Sequence, residues 1–401
     1  MMGFRTLVLR FLIFVLAIGT VPDAKSGLHF HGTNPSSYEG FVATGGRITD
    51  TRSFSFNQAM SRSQHKATEA LTSIKLVLPN FYTALPDAGV GNAATVTASI
   101  EYPSGTIAAQ VKFGGSTSVS IPDVSTATSD YTTVSIPNGA TFWVRVYYNG
   151  PNGIIYQGVQ ISGGSEQMAV AVSGLSDQTM TGAAISGGTS QTWVLPPLAI
   201  IGHTVKPSVL VIGDSRTVDN GNNTGMIAPS LAAHNVPFVC IAWFSSRADM
   251  WFTWATARDV LLPYGSQVIN ALGINDLSNL ETPAQLVTYL QAINAAASAP
   301  YKYNTTLSPF TSDSGTPAAA WTTTAQQVPI DTPSTFNDLV RAGFAGQSGF
   351  YEIADTNTSA HNSNLWIVTP SPPYTDDGIH QNAAGIALIT NSGVIVPAPY
   401  P

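Results

Sequence analysis

The chain has one cysteine, Cys240, so no intrachain disulfide can staple it. That residue lies in the apolar run 236–241, where a buried, inert thiol is expected rather than a nucleophile. Charge is scarce too. Asp, Glu, Lys and Arg make up 10% of the residues, the net charge is −7, and no long basic run occurs. Nucleic acid is therefore excluded as a partner, because such surfaces neutralise phosphates with clustered Lys and Arg. Past the amino terminus, no apolar run approaches the roughly 20 residues of a membrane span. The stretch after Ile212 has neither a Gly-x-Gly-x-x-Gly pattern nor a Walker lysine, so it offers no phosphate cradle. His29-x-His31 has metal-ligand spacing, but no partner cluster follows it. Neither a metal nor a cofactor is expected.

What is present is 401 residues rich in Gly, Ser, Thr, Asn and Pro, enough for two or three domains. Arg5 and Arg10 precede or flank the apolar stretch 11–18, and small residues follow near Gly19 and Ala24. This reads as a secretory signal peptide over residues 1–25, so the expected location is secreted or periplasmic. Residues 27–66 are polar and weakly patterned, as in an extended lead-in. Strand-like runs then appear at 74–78, 94–102, 108–113 and 141–148, separated by Gly, Pro, Asn and Ser. The last of these enters Asn149-Gly150-Pro151-Asn152-Gly153 and then Ile154-Ile155-Tyr156, the pattern of a hairpin. Short strands at close spacing predict an all-β sandwich, jelly-roll-like, over residues 26–203.

From residue 204 onward the pattern changes. Apolar strands at 209–212, 238–242, 267–272 and 365–368 alternate with helical segments. The clearest helix opens at Thr282-Pro283-Ala284-Gln285, a capping box with proline at the first position, and continues through Leu286, Leu290 and Ile293. Alternating β and α predicts a parallel sheet covered on both faces. Such sheets place their ligands beyond the carboxyl ends of the strands, so the residues following each strand matter most.

The first strand ends on Gly213-Asp214-Ser215, which on its own suits a turn with Asp214 or Ser215 as helix cap. The strand 267–272 ends on Gly273-Ile274-Asn275-Asp276, and near the carboxyl end stands Asp377-Gly378-Ile379-His380. Three residues across a glycine turn let Asp377 hold one imidazole nitrogen of His380 while the other faces outward. That is the orienting acid and general base a serine hydroxyl needs before it can attack.

Together and in this order, these blocks resemble the SGNH (GDSL-like) hydrolase family over residues 208–395, with Gly213-Asp214-Ser215, Gly273-x-Asn275-Asp276 and Asp377-x-x-His380 as its first, third and fifth blocks. The resemblance implies a flavodoxin-like three-layer α/β/α domain over residues 204–401. It also implies Ser215 as nucleophile, His380 as base and Asp377 as its orienting partner. Asn275 and the Ser215 amide would be oxyanion donors, and Asp214 and Asp276 turn-fixing residues. The second block normally supplies a glycine amide to the same hole. Here the stretch reads Trp243-Phe244-Ser245-Ser246-Arg247-Ala248-Asp249, with Ser246 at the glycine's place. Gln381 follows the histidine where the family commonly has proline. The aromatics Trp243, Phe244, Trp251, Phe252 and Trp254 crowd this region. Burial is their default, but one at the sheet edge would stack on a sugar or line an acyl pocket.

The expected activity is hydrolysis of short-chain, O-acetyl esters on carbohydrate by an exported serine esterase. The alternatives are a lipid or aryl ester hydrolase, an O-acyltransferase on the same triad, or a glycan-binding protein with an inert hydrolase domain. Fold does not choose among these.

Overall fold

In the computed structural model, residues 36–44, 48, 51–156, 165–219, 225–311, 332–358, 360–367 and 374–400 are described. The expected signal peptide and His29-x-His31 lie outside them. The first half consists of antiparallel sheets. Tyr38–Phe41, Ala199–Thr204, Leu71–Asn80 and Ser125–Thr128 lie side by side, with Thr132–Ile136 also on Leu71–Asn80. The second large sheet runs Thr189–Gln191, Gln167–Ala171, Gln58–Lys66, Thr141–Asn149, Ala94–Glu101, Ile107–Gln110, with Ser118–Ile121 also on Ala94–Glu101. Strand alternation sends Ile74, Leu76 and Leu78 into one core with Val96, Ala98, Val144 and Val146 of the other sheet. Val77 faces the opposite way, with Phe41, Ala199 and Ile201, into a core shared with Trp251, Leu261 and Leu262. Leu76-Val77-Leu78 is thus apolar on both faces because both faces are covered there.

Two expectations for this half are corrected. Residues 27–66 are not all a lead-in, since Gln58–Lys66 pairs along its whole length with Thr141–Asn149. Its polarity hides it, because its buried polar groups have partners. Glu101 receives Arg62 Nε at 2.9 Å and Arg145 Nη1 at 3.0 Å, and Ser63 Oγ lies 2.8 Å from His65 Nε2. Nor do 141–148 and 154–156 form a hairpin. Both edges of Thr141–Asn149 are taken, by Gln58–Lys66 and Ala94–Glu101, so Ile154–Tyr156 pairs with Thr51–Ser53 instead.

The second half is built on five parallel strands in the spatial order Phe238–Cys240, Val209–Gly213, Gln267–Ala271, Tyr301–Thr305, Gly349–Tyr351. Numbered along the chain this is 2-1-3-4-5, the flavodoxin-like order. Alternate residues feed two cores. Leu210, Ile212 and Val268 meet Leu286, Leu290, Ile293 and Phe336, whereas Val209, Val211 and Ile269 meet Ile227, Leu231 and Ile389. Helices Pro283–Ala296 and Thr332–Ala342 therefore cover one face, and Ala228–Ala233 and Ala383–Ser392 the other. The capping box at Thr282 and Gln285 is present as read.

The expected strand 365–368 is a correction. Trp366 makes a single bridge to Thr358, and Val368 lies outside the described residues. The fourth and fifth strands are Tyr301–Thr305 and Gly349–Tyr351 instead. No helix among the described residues is long and apolar enough to cross a membrane.

Candidate active site

The strand Val209–Gly213 delivers a turn rather than a helix. Asp214 Oδ1 accepts the Arg216 amide at 3.0 Å, and the Asp214 carbonyl accepts the amides of Thr217 and Val218. Gly213 is fixed by a close approach, because a Cβ there would lie 2.6 Å from the Thr217 side chain. This turn holds Ser215 at the carboxyl end of that strand, the second of the five. Its Oγ lies 2.8 Å from His380 Nε2, and His380 Nδ1 lies 2.6 Å from Asp377 Oδ2. Residues 165 positions apart thus join in one hydrogen-bonded chain.

The histidine loop is locally determined. Asp377 Oδ1 accepts the amides of Ile379 at 2.8 Å and His380 at 2.7 Å, and Gly378 takes a φ of 80°. Asn382 then caps Ala383–Ser392 by accepting the amides of Ala384 and Gly385. Partial burial raises the Asp377 pKa, but the bonds from the His380 ring and these amides outweigh it and hold the carboxyl below its ordinary value. Asp377 therefore stays ionised beside the imidazole.

Asn275 lies in the first turn of the short helix Ile274–Ser278, and its Nδ2 donates to the Ser246 carbonyl at 3.1 Å. The neighbouring Asp276 accepts the amides of Ala248 and Asp249 at 3.1 and 3.0 Å, binding the third block to the second. Burial pushes its pKa up to about 6, against the pull of those amides. Burial likewise raises Asp214, despite the opposing charge of Arg216. The Ser246 amide donates to the Trp243 carbonyl at 3.2 Å, closing a turn in which Ser245 takes the left-handed φ of 58°. The expected glycine-like amide is thus committed to a backbone bond in this structure, and the glycine-favouring backbone sits one residue earlier.

Ser215 and His380 line a cleft of about 230 Å³ with Arg216, Val218, Phe244 and Ile386. Phe244 is half exposed here, as is Phe252 away from it, whereas Trp251 is buried and donates to Asp259 at 2.9 Å. Cys240 is buried, its pKa pushed up to about 12 by that burial, and it donates to the Thr217 carbonyl. It has no thiolate chemistry near neutrality.

Sequence reasoning missed Arg216. Its fully buried guanidinium donates to the Ser308 and Pro309 carbonyls at 2.8 and 2.7 Å, and burial lowers its pKa to about 10 against the pull of Asp214 and Asp377. The signal was available, as an arginine directly after the serine in a chain with few charges. No cluster of three or more potential metal ligands occurs among the described residues.

A parallel sheet covered by helices on both faces, with a Ser-His-Asp chain at its carboxyl edge, is the arrangement that the resemblance to SGNH (GDSL-like) hydrolases implies. No family model and no curated protein matches the sequence. Among solved structures, the chain is similar to a G-D-S-L family lipolytic protein of Veillonella parvula, at 16% identity over 47% of this chain and 96% of that one, with a TM-score of 0.36. It is also similar to a carbohydrate esterase family 2 enzyme plus carbohydrate binding domain from Corynascus thermopiles, at 14% identity over 89% and 98%, TM-score 0.30. A third is a Bacillus subtilis protein, at 12% identity over 89% and 88%, TM-score 0.34. Similarity this low transfers neither activity nor substrate to this chain.

Proposed function

We propose that this protein is an exported serine esterase that removes short acyl groups, foremost O-acetyl, from carbohydrate. The observation that carries the reading is the hydrogen-bonded chain from Ser215 Oγ through the His380 ring to Asp377. In this mechanism His380 Nε2 takes the Ser215 proton as Oγ attacks the ester carbonyl. The imidazolium is stabilised by Asp377 and returns the proton to the leaving alcohol. Water, activated by the same imidazole, then releases the acid from the acyl-serine. The oxyanion is met by the Ser215 amide and by Asn275 Nδ2, which exchanges the Ser246 carbonyl for the developing charge.

The cleft favours a small acyl group by its volume, and the exposed ring of Phe244 gives a face on which a sugar stacks. The amino-terminal signal pattern supports export. A screen of acetylated polysaccharides and aryl esters of graded chain length, with Ser215→Ala as blank, tests this. Acetate release from polysaccharide supports the reading. Turnover only of long-chain esters points to a lipid esterase, and none at all, with glycan binding retained, to an inert domain.

A further inference from the structure

The chain neighbours of Ser215 and His380 converge on one buried residue. Arg216 Nη1 donates to the Ser308 carbonyl at 2.8 Å, and Gln381 Nε2 donates to the Ser308 hydroxyl at 2.7 Å. Arg216 Nη2 takes the next carbonyl, Pro309, at 2.7 Å, so its planar fork spans two consecutive peptides. Three residues on, the Thr311 amide donates to the Gly378 carbonyl at 3.0 Å, which also accepts Trp366 Nε1 at 2.9 Å. Ser308 is 1% exposed and Gln381 8%. The segment leaves the strand Tyr301–Thr305, a member of the central sheet.

We propose that Ser308 is the pin that fixes the separation of Ser215 and His380, and that Arg216 and Gln381 are positioning residues acting through it. The proposal rests on the esterase reading. The Ser215 and His380 loops come from opposite ends of the domain in sequence, and each is tied to the same buried third segment by the residue next to its functional side chain. A misplacement of about 1 Å between reacting groups costs as much as 10²-fold in rate, so such a tie has kinetic consequence. It also accounts for glutamine after the histidine, since a proline there has no side-chain donor to reach Ser308.

The test compares Ser308→Ala, Gln381→Leu, their double variant and Arg216→Lys with the parent in the full chain. The readouts are kcat and KM on an aryl acetate, thermal unfolding, and the low-field proton resonance of the Asp377–His380 hydrogen bond. Ser308→Ala and Gln381→Leu should each lower kcat about tenfold with KM within about twofold, and the double variant should be no worse than either, because one bond is lost in all three. Arg216→Lys keeps the charge but cannot span both carbonyls, so it should fall further, by about 10²-fold. In each variant the low-field resonance should shift or broaden.

Parental kcat and an unchanged resonance in folded Ser308→Ala overturn the proposal. So do additive losses in the double variant, or an effect confined to KM, which would make Gln381 a substrate contact. If the parent hydrolyses no ester the esterase reading fails instead, and the resonance alone decides whether the pin positions His380.

Discussion

Replacing Asp87 by alanine tests how firmly the β-rich half is tied to the parallel sheet. Asp87 and Arg258 form an ion pair of 2.9 Å with side chains 0% and 1% exposed. The carboxylate also accepts the amides of Ala257 and Arg258, at 3.2 and 3.3 Å, while Arg258 Nη1 reaches on to the Ile241 carbonyl at 2.7 Å. Burial raises the Asp87 pKa even with Arg258 beside it, so desolvation outweighs the attraction. Little net stability comes from the pair as a whole, but breaking it strands a buried guanidinium and two amides. Asp87→Ala should cost about 3–5 kcal/mol, and Asp87→Leu with Arg258→Met should recover most of that loss. Urea unfolding followed by tryptophan fluorescence measures both, with Trp251 and Trp254 close by in the chain. A loss below about 1 kcal/mol for Asp87→Ala, the range of an exposed pair, would refute the reasoning. Ile241 leads directly into the segment that carries Phe244, so kcat on an aryl acetate should fall with stability.

Asn275→Ala should lower kcat by roughly 10²–10³ with KM little changed, as for other oxyanion donors, and a change confined to KM would assign it to substrate binding. Ser246→Ala should keep most activity, because the residue's carbonyl and amide hold the turn and its hydroxyl is not required. A fall as deep as that of Asn275→Ala would make the hydroxyl a donor. Asp377→Asn should be nearly inactive, and its stability deficit should depend on pH. The Asp377 pKa is lowered by folding, so its contribution is present above the ordinary aspartate range and is lost as pH falls through the lowered value. The gap in melting temperature between parent and Asp377→Asn should therefore close in acid. A gap that stays constant from neutrality into strong acid counts against that assignment.

The parts of the chain most legible in the sequence were those whose chemistry is local. Gly213-Asp214-Ser215 and Asp377-x-x-His380 read directly because a strand end and a glycine turn dictate where their side chains go. The capping box at Thr282 read for the same reason. Two strands whose apolar pattern is broken by polar side chains did not read. In Tyr301–Thr305, Lys302 and Asn304 interrupt the apolar pattern, although Asn304 is buried in the sheet and pairs in register with Asn270. Gln58–Lys66 failed similarly, because Arg62 is made compatible with burial by Glu101, 39 residues away. Partners that distant leave no mark on a local window. Trp366 misled in the opposite sense. Its burial serves an indole bond to Gly378 beneath the histidine loop rather than a strand.

The most direct test of the central claim, that Ser215 is the nucleophile, is rapid-quench peptide mass spectrometry of the full protein mixed with an aryl acetate. The account predicts one acetyl group on the peptide containing Ser215, accumulating within a turnover, persisting longer in Asp377→Asn and absent from Ser215→Ala. Turnover without an adduct on Ser215, or with the adduct on another residue, would contradict it.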